Sequence, residues 1–546
     1  MQSSQQRFKV GFISGAIAGI VASILMLVLS VTLGGISLPE VFGSALTQVM
    51  PPPLFDFLHQ LIGGDAKHYL FYGILVGQCL VFAVCGGLCS LLFGSAKFSE
   101  SHASGQLRWI DGLLLAILLW LLVGVVFLPL TGGGIFGMFL ANGLLSSMLS
   151  LAVVGVVFGL LLVGIYNQML LRAAQKQESA GVENVSEASL SRRTILQRGA
   201  ILVGVGLASV VAWRFITGGG GAASSSAARL VGKFKSKITP PPVPNYGVVQ
   251  PVPNLSSEIT SNSQYYIVSK NLFSDPVVNG NTWNLHVHGL VKQPYTLNYN
   301  ELMALPRKQQ YESMMCISNE VGGEYMSNAK WEGIPLMDLL DKAGLKPGVT
   351  KVVLSAADDY SDSIHLAKAL EPTTLVAVRM NDVTLPTGHG FPARLLVPGI
   401  YGMKHVKWIT DIELVNTDYQ GYWQTRGWSD PAPVRLTSRI DTPLTGATLA
   451  ANKPTYIAGV GFSGNKGISE VDVSLDNGNT WQRAILKKPL SDLTWVLWEL
   501  AWTPTKGTHT IIVRAIDLEG NVQDPEQESP LPDGSSGYHT ISVSVN

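Results

Sequence analysis

The chain has 546 residues, 38 of them Lys or Arg and 38 Asp or Glu, for a formal net charge of zero. That balance excludes the strongly basic signature of a nucleic-acid binder. Only 14% of residues are charged, against about 25% in ordinary soluble proteins, and 47% are apolar. The deficit is uneven: the first 217 residues carry 19 charged side chains and the rest carry 57, with none between Asp111 and Arg172. Such a stretch predicts lipid as its solvent.

A helix needs about 20 apolar residues to cross the hydrocarbon core. Four stretches qualify: about Val10–Leu33, Tyr69–Phe93, Ile110–Leu130 and Leu144–Leu170. A fifth, shorter one runs from about Ala200 to Thr217, with Arg214 placed to snorkel to the interface. The first stretch is too long for a signal peptide and has no clear small-residue cleavage site. Arg7, Lys9, Lys97, Arg108, Arg172, Lys176, Arg192, Arg193 and Arg198 fall in alternate loops, whereas the opposite loops hold only Lys67. The positive-inside rule then predicts an inside N-terminus, five crossings, and everything after Thr217 outside the cytoplasm.

Ser191-Arg192-Arg193-Thr194-Ile195-Leu196-Gln197 precedes the fifth stretch and resembles a bacterial twin-arginine export signal. The bland reading, that these arginines only enforce topology, stands beside it. His59, His68 and His102 fall in predicted loops, so haem ligation inside the bundle is unsupported. The spans lack buried carboxylates or lysines of the kind that mark ion paths. Cys85 and Cys89 lie one helical turn apart, next to Gly86 and Gly87, and read as small packing residues.

Gly218–Gly221 and the Ala/Ser run after it form a flexible tether, which Pro240-Pro241-Pro242-Val243-Pro244 stiffens; residues 218–250 are the predicted linker. From 251 to 442 the elements are mixed. Leu285–Leu290 alternates as a strand, and Ile334–Lys342 reads as an amphipathic helix stopped by Gly344. Without a βαβ rhythm this predicts an α+β domain. From 443 to 546 helical signals vanish. Val471–Leu475 alternates, Asp476-Asn477-Gly478-Asn479 signals a hairpin turn, His509–Ile516 is a further strand, and Trp481, Trp495, Trp498 and Trp502 supply core bulk. These predict an immunoglobulin-like β-sandwich.

Beyond the tether there is one cysteine, Cys316, in Met314-Met315-Cys316-Ile317-Ser318-Asn319-Glu320-Val321-Gly322-Gly323. Alone it is an inert buried thiol, a nucleophile or a metal ligand, with inert the leading reading. The segment from about Tyr265 to Asn546 resembles the sulfite oxidase family of molybdenum–molybdopterin oxidoreductases. Cys316 sits in a Cys-x-x-Asn segment like the one that supplies the family's molybdenum thiolate. The run from His389 to Gly399 (HGFPARLLVPG), continued by Tyr401–Trp408 (YGMKHVKW), resembles the pterin-binding stretch. Ser474–Trp481 resembles a strand and turn of the family's C-terminal dimerisation domain.

The resemblance implies a molybdenum–molybdopterin cofactor with Cys316 as its one protein metal ligand, thiolate being a soft donor. It implies cofactor contacts at Tyr266, Ile267, Asp358, His389, Arg394, Gly402, Met403, Lys404, His405 and Lys407, with Arg394, Lys404 and Lys407 nearest the phosphate. Trp428 falls where the family has its active-site tyrosine, counted from Trp423-Gln424, and Val321 where sulfite-oxidising members have a second arginine. The family's early arginine is replaced around Ser269–Lys270. Small dianions would lose positive partners here, so sulfite is not the expected substrate. The expectation is a membrane-anchored, extracytoplasmic oxidoreductase that moves an oxygen atom or an electron pair. Its implied partners are a small-molecule substrate, an electron-transfer protein or quinone, and a second copy of the chain. The alternative is a catalytically inactive, membrane-tethered binding module that keeps the fold.

Overall fold

The computed structural model describes residues 4–50, 66–93, 106–138, 140, 143–179, 237–271 and 274–546. They fall into two compact units. In the first, four helices are long and apolar enough to cross a membrane: Ser4–Leu33, His68–Phe93, Trp109–Leu130 and Gly143–Arg172. Each overlaps one of the first four predicted spans. Ile13, Ile17, Ile20 and Ile24 on the first helix and Leu113, Leu114, Ile117 and Leu118 on the third are exposed. Glycines set how closely the first two helices approach: a Cβ on Gly86 would lie 2.4 Å from the Gly11 carbonyl oxygen.

Several details differ from the sequence reading. Leu38–Val49 forms an additional helix of 12 residues, with Pro in its first turn. His68 lies in the first turn of a helix rather than in a loop. Asp111 is a buried carboxylate, and it is spent as a cap: its Oδ2 accepts from Arg108 N at 2.8 Å and its Oδ1 from Arg108 Nη2 at 3.0 Å. The fifth predicted span, the twin-arginine segment and the glycine tether lie outside the described residues.

The second unit contains four sheets. The first strands are β1 (Asn284–Gly289), β2 (Tyr295–Asn298), β3 (Lys308–Met315), β4 (Met326–Pro335), β5 (Lys351–Ala356) and β6 (Ser361–His365). They are followed by β7 (Leu375–Met380), β8 (Val383–Thr384), β9 (Arg394–Leu396) and β10 (Ile409–Val415). One sheet has the order β2-β1-β10-β5-β6, with β1 and β10 parallel; the other runs β3-β4-β7-β8, with β9 paired to β7. Strands of both sheets and the helix Leu336–Ala343 contribute to a core that includes Leu285, Val287, Leu354, Val378, Leu395 and Ile412. That helix starts two residues later than predicted because Ile334 and Pro335 finish β4, and Gly344 ends it at φ 68°.

The remaining strands are β11 (Thr437–Thr442), β12 (Thr448–Leu449), β13 (Thr455–Phe462), β14 (Ile468–Ser474), β15 (Gln482–Arg483), β16 (Ile485–Leu486), β17 (Val496–Trp502), β18 (Gly507–Asp517) and β19 (His539–Val545). They form sheets β11-β13-β17-β16 and β12-β19-β18-β14-β15, whose inward residues share one core around Trp498, Val471 and Val513. Because β11 pairs with β13, this region takes up residues 437–442, ahead of the boundary suggested at 443. Trp481 is not in the core; the Arg514 guanidinium covers its ring at 4.2 Å. A further cluster joins Met315, Ile317, Tyr401 and Met403 to Val460, Phe462, Trp495 and Leu497, seating the Cys316 segment against the C-terminal strands.

Candidate active site

Cys316 directly follows β3, where the chain leaves the sheet; its N–H donates to the Tyr325 carbonyl at 2.9 Å. The Asn319 N–H closes the turn onto the Cys316 carbonyl at 3.1 Å, and the Asn319 side chain accepts from Tyr325 N at 2.8 Å. The C-terminal strands brace the same turn. Arg439 Nη1 donates to the Gly323 carbonyl at 2.8 Å, and Ser535 Oγ donates to the Asn319 carbonyl at 2.7 Å. Cys316 Sγ lies 3.0 Å from Ser318 Oγ on the wall of a cavity. Burial pushes the thiol up from its ordinary range, against hydrogen bonds that favour the thiolate.

Of the residues expected at the site, Tyr266, Ile267, Cys316, Asp358, His389, Arg394, Gly402, Met403, His405, Lys407 and Trp428 all line this cavity. Lys404 does not. It is 1% exposed, and its Nζ donates to Asp362 Oδ1 at 2.8 Å, the Ser363 carbonyl at 2.9 Å and Asp430 Oδ1 at 2.9 Å. An ammonium has three hydrogens, so none is left for a phosphate. The expected phosphate role is corrected to an internal tie. Val321 is likewise not a lining residue, whereas Ser269 and Lys270 are.

Arg394, at the start of β9, is 4% exposed. Its Nη1 donates to the His389 carbonyl at 3.1 Å, and its guanidinium lies 5.3 Å over the Trp331 ring. Among the described residues its buried Nε–H has no hydrogen-bond partner. Burial lowers its pKa, the direction expected of a cation deprived of water. Glu312 behind it does not ion-pair with His405, although Glu312 Oε1 and His405 Nδ1 are 3.9 Å apart. His405 Nε2 donates to the Ile400 carbonyl at 3.2 Å while its Nδ1 accepts from Val397 N at 3.4 Å, which is the neutral tautomer. Burial pushes His405 down to about 3 and Glu312 up to about 8, so the two face each other uncharged near neutrality.

His389 donates from Nε2 to the Asn262 carbonyl at 2.9 Å, and burial pushes it down to about 4; the neutral ring keeps Nδ1 as an acceptor. Lys407 Nζ donates to the Gly388 carbonyl at 3.2 Å and lies 4.1 Å over the Trp408 ring. Gly402 admits the Tyr266 hydroxyl, which a Cβ would meet at 2.7 Å. Ile267 is 52% exposed, at the rim. The Asp358 carboxylate accepts from Tyr360 N at 3.1 Å.

Sequence reasoning missed Tyr360 and Trp408 as lining residues, and it used Trp423 only as an anchor for counting. Trp408 stands in the quoted YGMKHVKW run at a left-handed φ of 52°, with Nε1 donating to the Thr387 carbonyl at 2.8 Å. Tyr360 closes the β5–β6 turn two residues after Asp358, a spacing that carries no signal by itself. Arg426, Arg435 and Arg439, the nearby candidates for a substitute anion-binding arginine, are not lining residues. Arg426 lies over the Tyr422 ring, Arg435 pairs with Glu528, and Arg439 pairs with Asp441.

Comparison with known proteins gives the family. The oxidoreductase molybdopterin-binding domain family matches residues 273–423, and the Mo-co oxidoreductase dimerisation domain family matches residues 433–531. The mitochondrial sulfite oxidase of Rattus norvegicus is 30% identical over 351 residues, covering 54% of this chain and 64% of that protein. That of Homo sapiens is 31% identical, with the same coverage. An uncharacterized oxidoreductase of Bacillus subtilis, YuiH, is 32% identical over 146 residues, which are 27% of this chain and 72% of that one. Among solved structures, the sulfane dehydrogenase SoxCD of Paracoccus pantotrophus is similar at a TM-score of 0.46 and 22% identity, covering 52% of this chain and 81% of that one. The chain thus spans about 64% of the length of the mammalian relatives. It belongs to the sulfite oxidase family of molybdenum–molybdopterin oxidoreductases, and its cofactor is molybdenum–molybdopterin.

The residues fit that group. A buried guanidinium whose Nε–H has no partner among the described residues suits an anionic phosphate, and a thiol on the same cavity wall suits a soft metal. Arg394 and Lys407 would hold the phosphate, His389 and Asp358 the polar pterin edge, and Cys316 the metal. When bound, the cofactor supplies two-electron redox chemistry coupled to gain or loss of an oxygen atom.

Proposed function

We propose that this chain is a membrane-anchored molybdopterin-dependent oxidoreductase acting on the extracytoplasmic side, on a neutral or larger substrate in preference to sulfite. The observation that carries the reading is the cavity wall itself. Cys316 and the buried Arg394 share it, and among the described residues the other lining side chains of Lys or Arg type are Lys270 and Lys407. Trp428 and Trp423 supply a stacked indole surface, with centroids 4.1 Å apart. Indole is uncharged and has a single N–H, so the pair adds no positive partner for a small dianion.

The side of the membrane rests on the Lys/Arg distribution between apolar stretches, with Ala200–Thr217 as a fifth crossing. The strand pattern after Thr437 supports an immunoglobulin-like reading of the C-terminal domain. The match of residues 433–531 to a dimerisation family supports pairing of two copies there. An electron-transfer protein or a quinone would complete the two-electron cycle. The test is purification from a molybdenum-competent host, metal analysis, and steady-state assays of sulfite against a panel of sulfoxides and N-oxides. A kcat/KM for sulfite above about 10⁴ M⁻¹s⁻¹, the lower range of ordinary enzymes, would overturn the substrate reading.

A further inference from the structure

Beside the cavity lies a set of buried ionisable groups for which the cofactor provides no use. Tyr360 lines the cavity, and its Oη is 2.7 Å from the Met403 carbonyl oxygen and 3.1 Å from Asp362 Oδ2. Asp362 is fully buried; its Oδ1 accepts from Lys404 Nζ at 2.8 Å and from Ser363 N at 2.7 Å. Lys404 continues to Asp430, whose Oδ2 accepts from Lys351 Nζ at 2.8 Å. Lys351 in turn lies 2.6 Å from Asp418, which is 78% exposed.

A phenol has one hydrogen, while a carbonyl and an ionised carboxylate only accept. Tyr360 Oη faces one of each. Both contacts are satisfied when Tyr360 donates to Met403 and a second proton, on Asp362 Oδ2, is donated back to the phenol oxygen. Asp362 Oδ1 is then the carbonyl oxygen of an acid, which suits its two donors. Lys404 Nζ already faces Asp430, so an ionised Asp362 would be a second carboxylate on one buried ammonium. Burial raises the Asp362 pKa and the two lysines lower that of Asp430, in line with this division. The other ionisable neighbours of Tyr360 are Asp358 and Tyr422.

We propose that Asp362 is a protonated carboxylic acid in the resting protein and that it forms, with Tyr360, a proton-donating couple for the cavity. The donor role rests on the oxidoreductase reading; the protonation of Asp362 does not. In the step, the Tyr360 O–H bond breaks as its proton passes to a basic oxygen in the cavity. The Asp362 O–H bond breaks to restore the phenol, leaving Asp362 ionised against Lys404. No electrons move within the couple. Lys404 and Asp430 are positioning residues that make the ionised state tolerable.

The test uses Asp362→Asn in the full-length, molybdenum-loaded protein. Asparagine mimics the protonated acid: its amide donates to Tyr360 Oη, and its carbonyl accepts from Lys404 and Ser363. The variant should match wild type in molybdenum content and melting temperature, and it should lose one carboxylic-acid carbonyl band of the wild-type infrared spectrum at neutral pH, separate from the Glu312 band that Glu312→Gln removes. When reduced methyl viologen reduces the bound molybdenum, indicator-detected proton uptake should slow by about a hundredfold, the usual worth of a general acid. Tyr360→Phe should slow it similarly while keeping the band. No such band, or loss of fold and metal in Asp362→Asn, would overturn the protonation. A band with wild-type proton uptake in both variants, or no uptake in the wild type, would overturn the donor role. Wild-type protein without molybdenum would fail the oxidoreductase reading and the donor role with it, while the infrared band would still decide the state of Asp362.

Discussion

The indole rings of Trp423 and Trp428 stack 4.1 Å apart at an interplanar angle of 15°, on the wall of the cavity that Cys316 also lines. Trp428 stands where the family resemblance expects a phenol. The pair offers an apolar face at a wall with few cations. A stacked aromatic partner is worth about 0.5–1.5 kcal/mol beyond area burial. Trp428→Ala should therefore raise KM for an aromatic sulfoxide by roughly three- to tenfold, with molybdenum content unchanged. Steady-state kinetics check this, and an unchanged KM would place the substrate elsewhere.

Arg394 and Lys404 should separate cleanly. Arg394→Ala removes a buried cation on the cavity wall and should lower the pterin recovered per folded chain. Lys404→Met leaves Asp362 and Asp430 without their shared partner. It should cost about 3–5 kcal/mol of stability, as breaking buried ion pairs does, yet leave pterin per folded chain near the wild-type level. Fluorescence of the released, oxidised pterin and thermal melts read the two effects separately.

The Glu312–His405 pair predicts a particular pH dependence of stability. Glu312 is raised from 4.5 to about 8, so its contribution is full below 4.5 and is lost as pH rises through 8. His405 is depressed from 6.5 to about 3, so its contribution is full above 6.5 and is lost as pH falls through 3. Between 4.5 and 6.5 the two slopes oppose each other, and the pair contributes a plateau with a fall on each side. Glu312→Gln, which mimics the protonated acid, should flatten the alkaline side and leave the acid side intact. Melting curves across pH 4 to 9 test it.

The twin arginines make a prediction that sequence alone supports. Arg192→Lys with Arg193→Lys preserves charge and hence the positive-inside rule. If the pair is an export signal, the catalytic part should accumulate on the cytoplasmic side. Protease protection in spheroplasts decides it, and unimpaired export would show that the arginines only set topology.

What was legible in the sequence follows from which signals are local. The four long apolar helices are visible because a run of about 20 consecutive apolar residues stands out in the sequence itself. Helix Leu38–Val49 is not, being 12 residues long and below spanning length. Cys316, His389 and Arg394 could be singled out only because their short runs resemble the family's; by itself Cys316 reads as an inert thiol. Lys404 stands in such a run too, beside the lining residue Met403, yet its partner Asp362 lies 42 positions away and no spacing rule reveals that pairing. Tyr360 was invisible for the same reason, since its role depends on the Met403 carbonyl reached across the fold. Trp481 shows the converse: a large aromatic in a strand-rich segment reads as core, but the exposed turn at Asp476–Thr480 carries it to the surface beside Arg514.

X-ray absorption at the molybdenum edge shows whether Cys316 binds the metal. A single pterin dithiolene supplies two sulfurs to the metal, and Cys316 would supply a third. Wild-type protein from a molybdenum-competent host should hold one molybdenum per chain with three sulfur neighbours, and Cys316→Ser should remain folded with one sulfur fewer and no turnover. An identical sulfur shell in the two proteins, or full activity in the serine variant, would show that Cys316 is not the metal ligand.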